Sequence, residues 1–305
     1  MIGTLFLRAG FLAVGLLTLL PFTAAQAEQR SIDTAFGDVV LRDTPKRVVT
    51  LGENPLDIAL SLGVQPIGSV ATRGSTGVSE YLRDKAGDIA IVGSARETNL
   101  EAVFALRPDL ILASTGLSED QYQKLSRIAP TIVPKGTFFE DWRINVDLYA
   151  KALAKEPEGR AAVQAVDQRI GVLKDRVKPG QVVSVLRWNP QGPFVMSSHL
   201  FVGQLLRQLG FASTAIADSL TEKPHSDILS LENLSRADGD LLFLGTLNAD
   251  GDKALAQAKA QPAFSYLKAV RDEKVVSVDG QVWSSGAGPL AAGVILDDVE
   301  KALAH

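Results

Sequence analysis

The 305-residue chain contains no cysteine. That excludes disulfides and any thiolate-held metal, and it leaves no cysteine to carry a lipid behind a leader. Histidine is nearly as scarce. His199, His225 and His305 are scattered without ligand spacing and point to no metal site. Basic runs are absent, and 31 Lys and Arg against 35 Asp and Glu make the chain mildly acidic, with no electrostatic footprint for nucleic acid. Beyond the N-terminus no stretch approaches the ~20 apolar residues that a spanning helix needs. Neither a phosphate-binding glycine loop nor a nucleophile elbow is present. Ser197-Ser198-His199 is a local string, whereas a catalytic triad is a spatial arrangement. Asn248-Ala249-Asp250-Gly251-Asp252 has half the look of a calcium loop but lacks the EF-hand spacing and closing Glu, and it reads as a solvated turn.

What is present begins with an export signal. Arg8 precedes an apolar run from Ala9 to Leu20, Pro21 ends it, and Ala25-Gln26-Ala27 supplies a small-x-small cleavage site. An uncleaved N-terminal anchor is the alternative. Cleavage would start the mature chain at Glu28. Losing Arg8 with the leader leaves 30 basic against 35 acidic residues, a net charge of −5.

Short β-branched runs then alternate with helical patterns, the signature of α/β architecture. Strands are expected at Arg47–Leu51, Ile67–Val70, Ile89–Val92, Leu110–Ala113 and Thr131–Val133 in the first half. Val182–Trp188, Phe194–Ser197, Leu241–Leu244 and Val275–Val278 follow in the second. Pro55–Leu62, Leu100–Leu106, Phe201–Leu209 and Pro289–Leu303 read as helices. One repeat stands out. Leu100-Glu101, ending in Asp109-Leu110, is echoed by Leu231-Glu232, ending in Asp240-Leu241, and each copy reads as a short helix, a turn and a buried strand. Between the halves, Val163, Val166, Ile170, Leu173 and Val177 form one apolar helical stripe, with Pro157 in the first turn. The expected fold is α/β: two Rossmann-like lobes joined by a single long helix, with a ligand cleft between them. The leader occupies 1–27, the N-terminal lobe 28–145, the connecting helix 146–178 and the C-terminal lobe 179–305. A single helix resists bending, so small closure motions are expected.

These segments resemble the helical-backbone class of periplasmic solute-binding proteins that serve ABC importers of ferric siderophores, haem and cobalamin. The resemblance covers nearly all of the mature chain and rests on order and spacing. Pro45-Lys46-Arg47-Val48-Val49 is similar to the opening strand, and Val92-Gly93 through Asn99-Leu100-Glu101 to the "VG-x-x-x-E-P-N-L-E" segment, with Thr98 in place of Pro. Arg107-Pro108-Asp109-Leu110-Ile111 is similar to "K-P-D-L-I". Val282-Trp283 and the run Gly286–Val294 resemble the C-terminal ligand edge and last helix. Arg96 and Trp283 fall where ferric-hydroxamate binders carry an Arg and a Trp. Leu117 stands where ferrichrome-type members have a tyrosine, and Pro224 and His225 where they have a tryptophan. Val185-Leu186-Arg187-Trp188 resembles the relatives that bind citrate-containing hydroxamates.

The resemblance implies a monomeric, non-enzymatic periplasmic binding protein for a ferric siderophore, anionic and citrate-hydroxamate-like, with no cofactor. Its partners would be that ligand and an inner-membrane permease with its ATPase. Such a chelate saturates its own iron, so the receptor needs donors for anionic oxygens and flat apolar surface. Arginine suits the first task, its planar fork giving paired charge-assisted hydrogen bonds. Arg96, Arg187 and Arg73 are the candidates, though any could be an ordinary surface or ion-paired arginine. Trp283, on a loop of small residues, is the candidate aromatic, and a core role is its alternative. Trp188, at the end of the Arg187 strand, is a second candidate; Trp142 is expected to pack the connecting helix. Glu101 and Glu232 occupy equivalent repeat positions, and in the family such a pair docks onto permease arginines. Thr98-x-x-Glu101 also reads as a capping box. A haem, cobalamin or metal-ion binder of the same fold, an α/β hydrolase and a surface interaction protein are the competing readings.

Overall fold

The computed structural model describes residues 29–304, so the leader and His305 lie outside the described residues. The chain opens with an antiparallel hairpin, β1 (Arg30–Thr34) and β2 (Gly37–Leu41). The N-terminal lobe is a parallel sheet of β3 (Val48–Leu51), β4 (Gly68–Ser69), β5 (Ala90–Ile91), β6 (Leu110–Ala113) and β7 (Thr131–Ile132), ordered β5-β4-β3-β6-β7. Every residue of β3 and β6 is buried, as helices covering both faces of a parallel sheet require. The C-terminal lobe holds β8 (Val182–Asn189), β9 (Gly192–Val195), β10 (Ala212–Ser213), β11 (Leu241–Thr246) and β12 (Val275–Asp279). Its order is β10-β8-β11-β12, with β9 antiparallel to the second half of β8. In each lobe the first parallel strand lies mid-sheet and the chain changes side next to it. Crevices at the carboxyl ends of such strands are where ligands bind in open α/β sheets.

The repeat has a structural meaning. Asp109 accepts the backbone N–H groups of Lys46 and Arg47 (both 2.8 Å), just ahead of β3, and Asp240 accepts that of Val182 (2.8 Å), which opens β8. Each carboxylate thereby ties the strand that follows it, β6 or β11, to the central strand beside it. The two copies differ in their helices: Leu100–Ala105 is α-helical and Leu231–Ala237 is 3-10.

The connection between lobes is two helices, Trp142–Leu153 and Glu156–Lys174, not the single unbroken helix anticipated over 146–178. Ala154 is left-handed (φ 56°) and closes the first helix, with Lys155 N–H bonded to Ala150 C=O at 2.7 Å. The second helix restarts one residue later with Pro157 in its first turn, where a missing N–H costs nothing. Asn248 is likewise no solvated turn: its side chain caps the helix Ala249–Lys259 by accepting from Gly251 N–H at 3.1 Å.

The last helix, Pro289–Ala302, packs against both the second connecting helix and the N-lobe helices Glu53–Ser61 and Glu80–Ala86. Its first N–H groups, on Leu290 (3.0 Å) and Ala291 (2.8 Å), are accepted by the fully buried Asp57 of the other lobe, which also accepts the Tyr81 hydroxyl at 3.0 Å. Burial pushes the Asp57 carboxyl up to about 7, against the pull of these three hydrogen bonds. A Cβ at Gly288 would run into that carboxylate. One apolar cluster runs through the junction, from Val48, Ile58 and Tyr149 to Val185, Phe201, Trp283 and Ile295.

Candidate ligand-binding site

A cavity of about 530 Å³ opens at the carboxyl ends of β3, β6 and β8, with walls from both lobes and from the first connecting helix. On the N-lobe side Gly52 and Glu53 follow β3, and Ser114, Thr115 and Leu117 follow β6. The C-lobe side carries Arg187 and Met196, with His225 and the turn Trp283–Ala287. Pro224, His225 and Leu117, the positions that depart from the ferrichrome-type pattern, all line it.

Arg73, Arg96 and Arg187 are brought together on these walls. Arg96 projects from a tight turn closed by a bridge between Gly93 and Thr98, inside which Ser94 Oγ accepts the Arg96 and Glu97 N–H groups. Arg73 lies in the exposed loop before Gly74. Arg187 differs from both in being buried, 4% exposed, on the central strand of its sheet. Its guanidinium lies 5.3 Å from the centroid of Phe194, its cross-strand neighbour on β9. No carboxylate of the described residues is within ion-pair distance of any of the three, and Arg187 Nε has no hydrogen-bond partner. Desolvation, then the Arg73 charge, lowers the Arg187 guanidinium to about 10. A buried cation without a partner is costly, and an anion in the cavity would offset that cost.

The tryptophans sort differently from the sequence expectation. Trp283 lines the cavity, but on a short helix, Gly280–Ser285, and not on a loop. It is 1% exposed, stacks on Phe243 at 4.2 Å, and donates its indole N–H to Asp298 at 2.9 Å. Trp188 is not brought to the cavity. Strand alternation sends it to the face opposite Arg187, where it packs edge-on to Phe264 (6.2 Å) in a separate C-lobe cluster. Trp142 packs edge-on to Phe201 at 5.7 Å, as the connecting helix demands, yet it also lines the cavity. Its indole N–H is buried without a partner, as is the hydroxyl of Ser285 on the opposite wall.

Three lining residues escaped sequence reasoning. Phe138, 51% exposed, supplies the open aromatic surface that Trp283 does not. Asn54 donates to Ala287 C=O at 2.6 Å and accepts from Asn145 at 3.4 Å, stitching both lobes to the connecting helix. Glu53 accepts the hydroxyls of Ser79 and Thr72, both at 2.6 Å. Glu53 alone had a legible signal: an acidic residue opening a helix right after the first strand's glycine.

Glu101 and Glu232 are exposed, away from the cavity, in corresponding helices of the two lobes. The capping-box reading fails at Thr98. The N-cap is Asn99, whose side chain accepts Ala102 N–H at 3.0 Å, and this leaves Glu101 without that duty. Neither glutamate pairs with another described residue. Among the described residues no cluster of three or more His, Cys, Asp or Glu could hold a metal, and no helix is long and apolar enough to cross a membrane.

The chain is similar to the "Probable siderophore-binding lipoprotein YfiY" of Bacillus subtilis strain 168, 31% identical over 266 residues, 84% of this chain and 82% of the relative. It is 30% identical to the Fe(3+)-citrate-binding protein YfmC of the same organism over 280 residues, covering 90% and 86%. Among solved structures, Staphylococcus aureus SirA complexed with staphyloferrin B superposes with a TM-score of 0.79 at 27% identity, covering 90% of this chain and 98% of that one. The model of the periplasmic binding protein family matches residues 48–282, and the chain belongs to that family.

Proposed function

We propose that this protein captures an anionic ferric siderophore outside the cytoplasm and hands it to an ABC permease, without catalysing a reaction. The observation that carries this reading is Arg187, a buried guanidinium with no protein partner, facing a cavity that also holds Arg73 and Arg96. Three unpaired cations fit a chelate whose saturated iron presents anionic oxygens, and Phe138 offers a ring for its apolar body. Citrate-hydroxamate chelates, which combine a citrate carboxylate with hydroxamate oxygens, are the class that this donor set suits best. The names of the relatives, which bind siderophores or ferric citrate, support the cargo. Export by a cleaved leader and delivery as a free monomer complete the proposal.

Tryptophan fluorescence tests it, since Trp142 and Trp283 border the cavity. Ferric citrate-hydroxamate, ferrichrome-type and catecholate chelates would be titrated beside haem and cobalamin, each chelate also iron-free, with native mass spectrometry as a second readout. Saturable binding of the anionic ferric chelate is the expected result. Binding of haem or cobalamin alone would overturn the cargo.

A further inference from the structure

Three side chains on the cavity walls have the wrong charge for an anion, the exposed Glu97 and Glu140 and the half-buried Glu53. Glu53 opens the helix Glu53–Ser61 and lines the same walls as Arg73, Arg96 and Arg187. It is fixed there from two sides. Ser79 Oγ donates to Oε1 and Thr72 Oγ1 to Oε2, each at 2.6 Å, with the two hydroxyl oxygens 3.0 Å apart. No arginine reaches it within ion-pair distance, so the carboxylate is not neutralised by its surroundings. Thr72 and Ser79 bracket the loop that carries Arg73, so that loop and this carboxylate are held as one unit.

Resting on the anionic-chelate reading above, we propose that Glu53 makes capture of the ligand proton-dependent: ionised, it opposes the negative chelate, and protonated, it admits it, so that binding takes up one proton. The charged groups around it are of both signs. Asp57 lies one turn along its own helix, Tyr81 on the adjacent helix bonds that carboxylate, and Asp279 of the opposite lobe adds negative charge, with Arg73 as the cation on the other side. Burial is the largest influence and pushes the Glu53 carboxyl above its ordinary value; the Ser79 and Thr72 hydrogen bonds and Arg73 pull it down, and Asp279 pushes it up. An anion entering the cavity acts in the sense of Asp279 and drives the proton on. His225 also lies on the wall.

The test is the affinity for the ferric citrate-dihydroxamate chelate between about pH 5.5 and 8, for the wild type, Glu53→Gln and Thr72→Val. Wild-type affinity should fall as pH rises, by up to about tenfold per pH unit, the limit for one linked proton. Glu53→Gln should bind at the top of the range as tightly as the wild type does at the bottom, with the slope gone. Thr72→Val removes a hydrogen bond that favours the carboxylate and should move the midpoint to higher pH. A Glu53→Gln protein that binds more weakly at every pH would show that the residue only orders the loop and overturn the proposal. An unchanged slope in that variant would assign the proton to another group and overturn it equally. If the wild type bound no anionic chelate at any pH, the cargo itself would fall, a result distinct from either of these.

Discussion

Arg187 bears on stability as well as on binding. A guanidinium taken out of water with no counter-charge costs the empty protein free energy, and only an anionic ligand returns it. Arg187→Met keeps most of the stem's volume and removes the charge. We expect the ligand-free variant to be more stable by on the order of 1 kcal/mol and to lose at least about a hundredfold in affinity, the worth of two charge-assisted hydrogen bonds. Thermal melts with and without ferric chelate read both quantities. A variant less stable than wild type would mean that Arg187 has a structural partner after all. The same residue shows what a strand sequence conveys. Arg187 and Trp188 were both read as cleft candidates, but neighbours on a strand face opposite sides, and only one could point inward. Arginine chemistry indicated that a cation mattered here; the register that separates it from Trp188 is set by the packing of Leu186 and Trp188 against Phe264. Trp283 was legible as a cavity residue but not as a stacked core ring, because its partners Phe243 and Asp298 are distant in sequence.

At the scale of elements, the long strands and helices were legible because periodicity is a local property: Val182–Asn189, Leu241–Thr246 and Pro289–Ala302 lie close to where the pattern places them. Two-residue strands such as Ala212–Ser213 carry no period and exist because β8 offers them a partner. The connector is the instructive case. Its apolar stripe and Pro157 were visible, yet Ala154, an excellent helix former, breaks it. The left-handed turn there lets the first helix lie on the N-lobe and the second on Pro289–Ala302, an arrangement that only tertiary packing demands. Alanine is strained at φ 56°, where glycine is not. Ala154→Gly should therefore raise stability by about 0.5–1 kcal/mol with ligand affinity unchanged, the relief at the turn outweighing the greater freedom of the unfolded chain. Urea unfolding would check it; a loss of stability would mean that the Ala154 methyl is needed for packing at the joint.

For the whole molecule the decisive feature is an apolar cluster shared by the two lobes, beside the one that each lobe keeps to itself. The apolar cluster passes through the junction, Asp57 of one lobe caps the last helix of the other, and Asn54 ties Ala287 to the connecting helix. Interfaces packed this continuously resist hinge motion, so little change is expected in the relation between the faces carrying Glu101 and Glu232 when the cavity fills. The repeat puts the two carboxylates at corresponding places, on Leu100–Ala105 with the 66% exposed Phe104 beside Glu101, and on Leu231–Ala237. A fixed pair of like charges suits a partner with two equivalent basic patches. Charge reversal separates docking from capture, because neither glutamate lines the cavity. In cells where the variant replaces the native protein, Glu101→Lys and Glu232→Lys should each lower ferric-chelate uptake by about tenfold, the worth of one interfacial charge pair, and the double variant should nearly abolish it. Chelate affinity of the purified variants should stay at the wild-type value. Uptake unaffected by the double reversal would place the docking face elsewhere; uptake lost together with affinity would mean that the two functions are not separated by the fold.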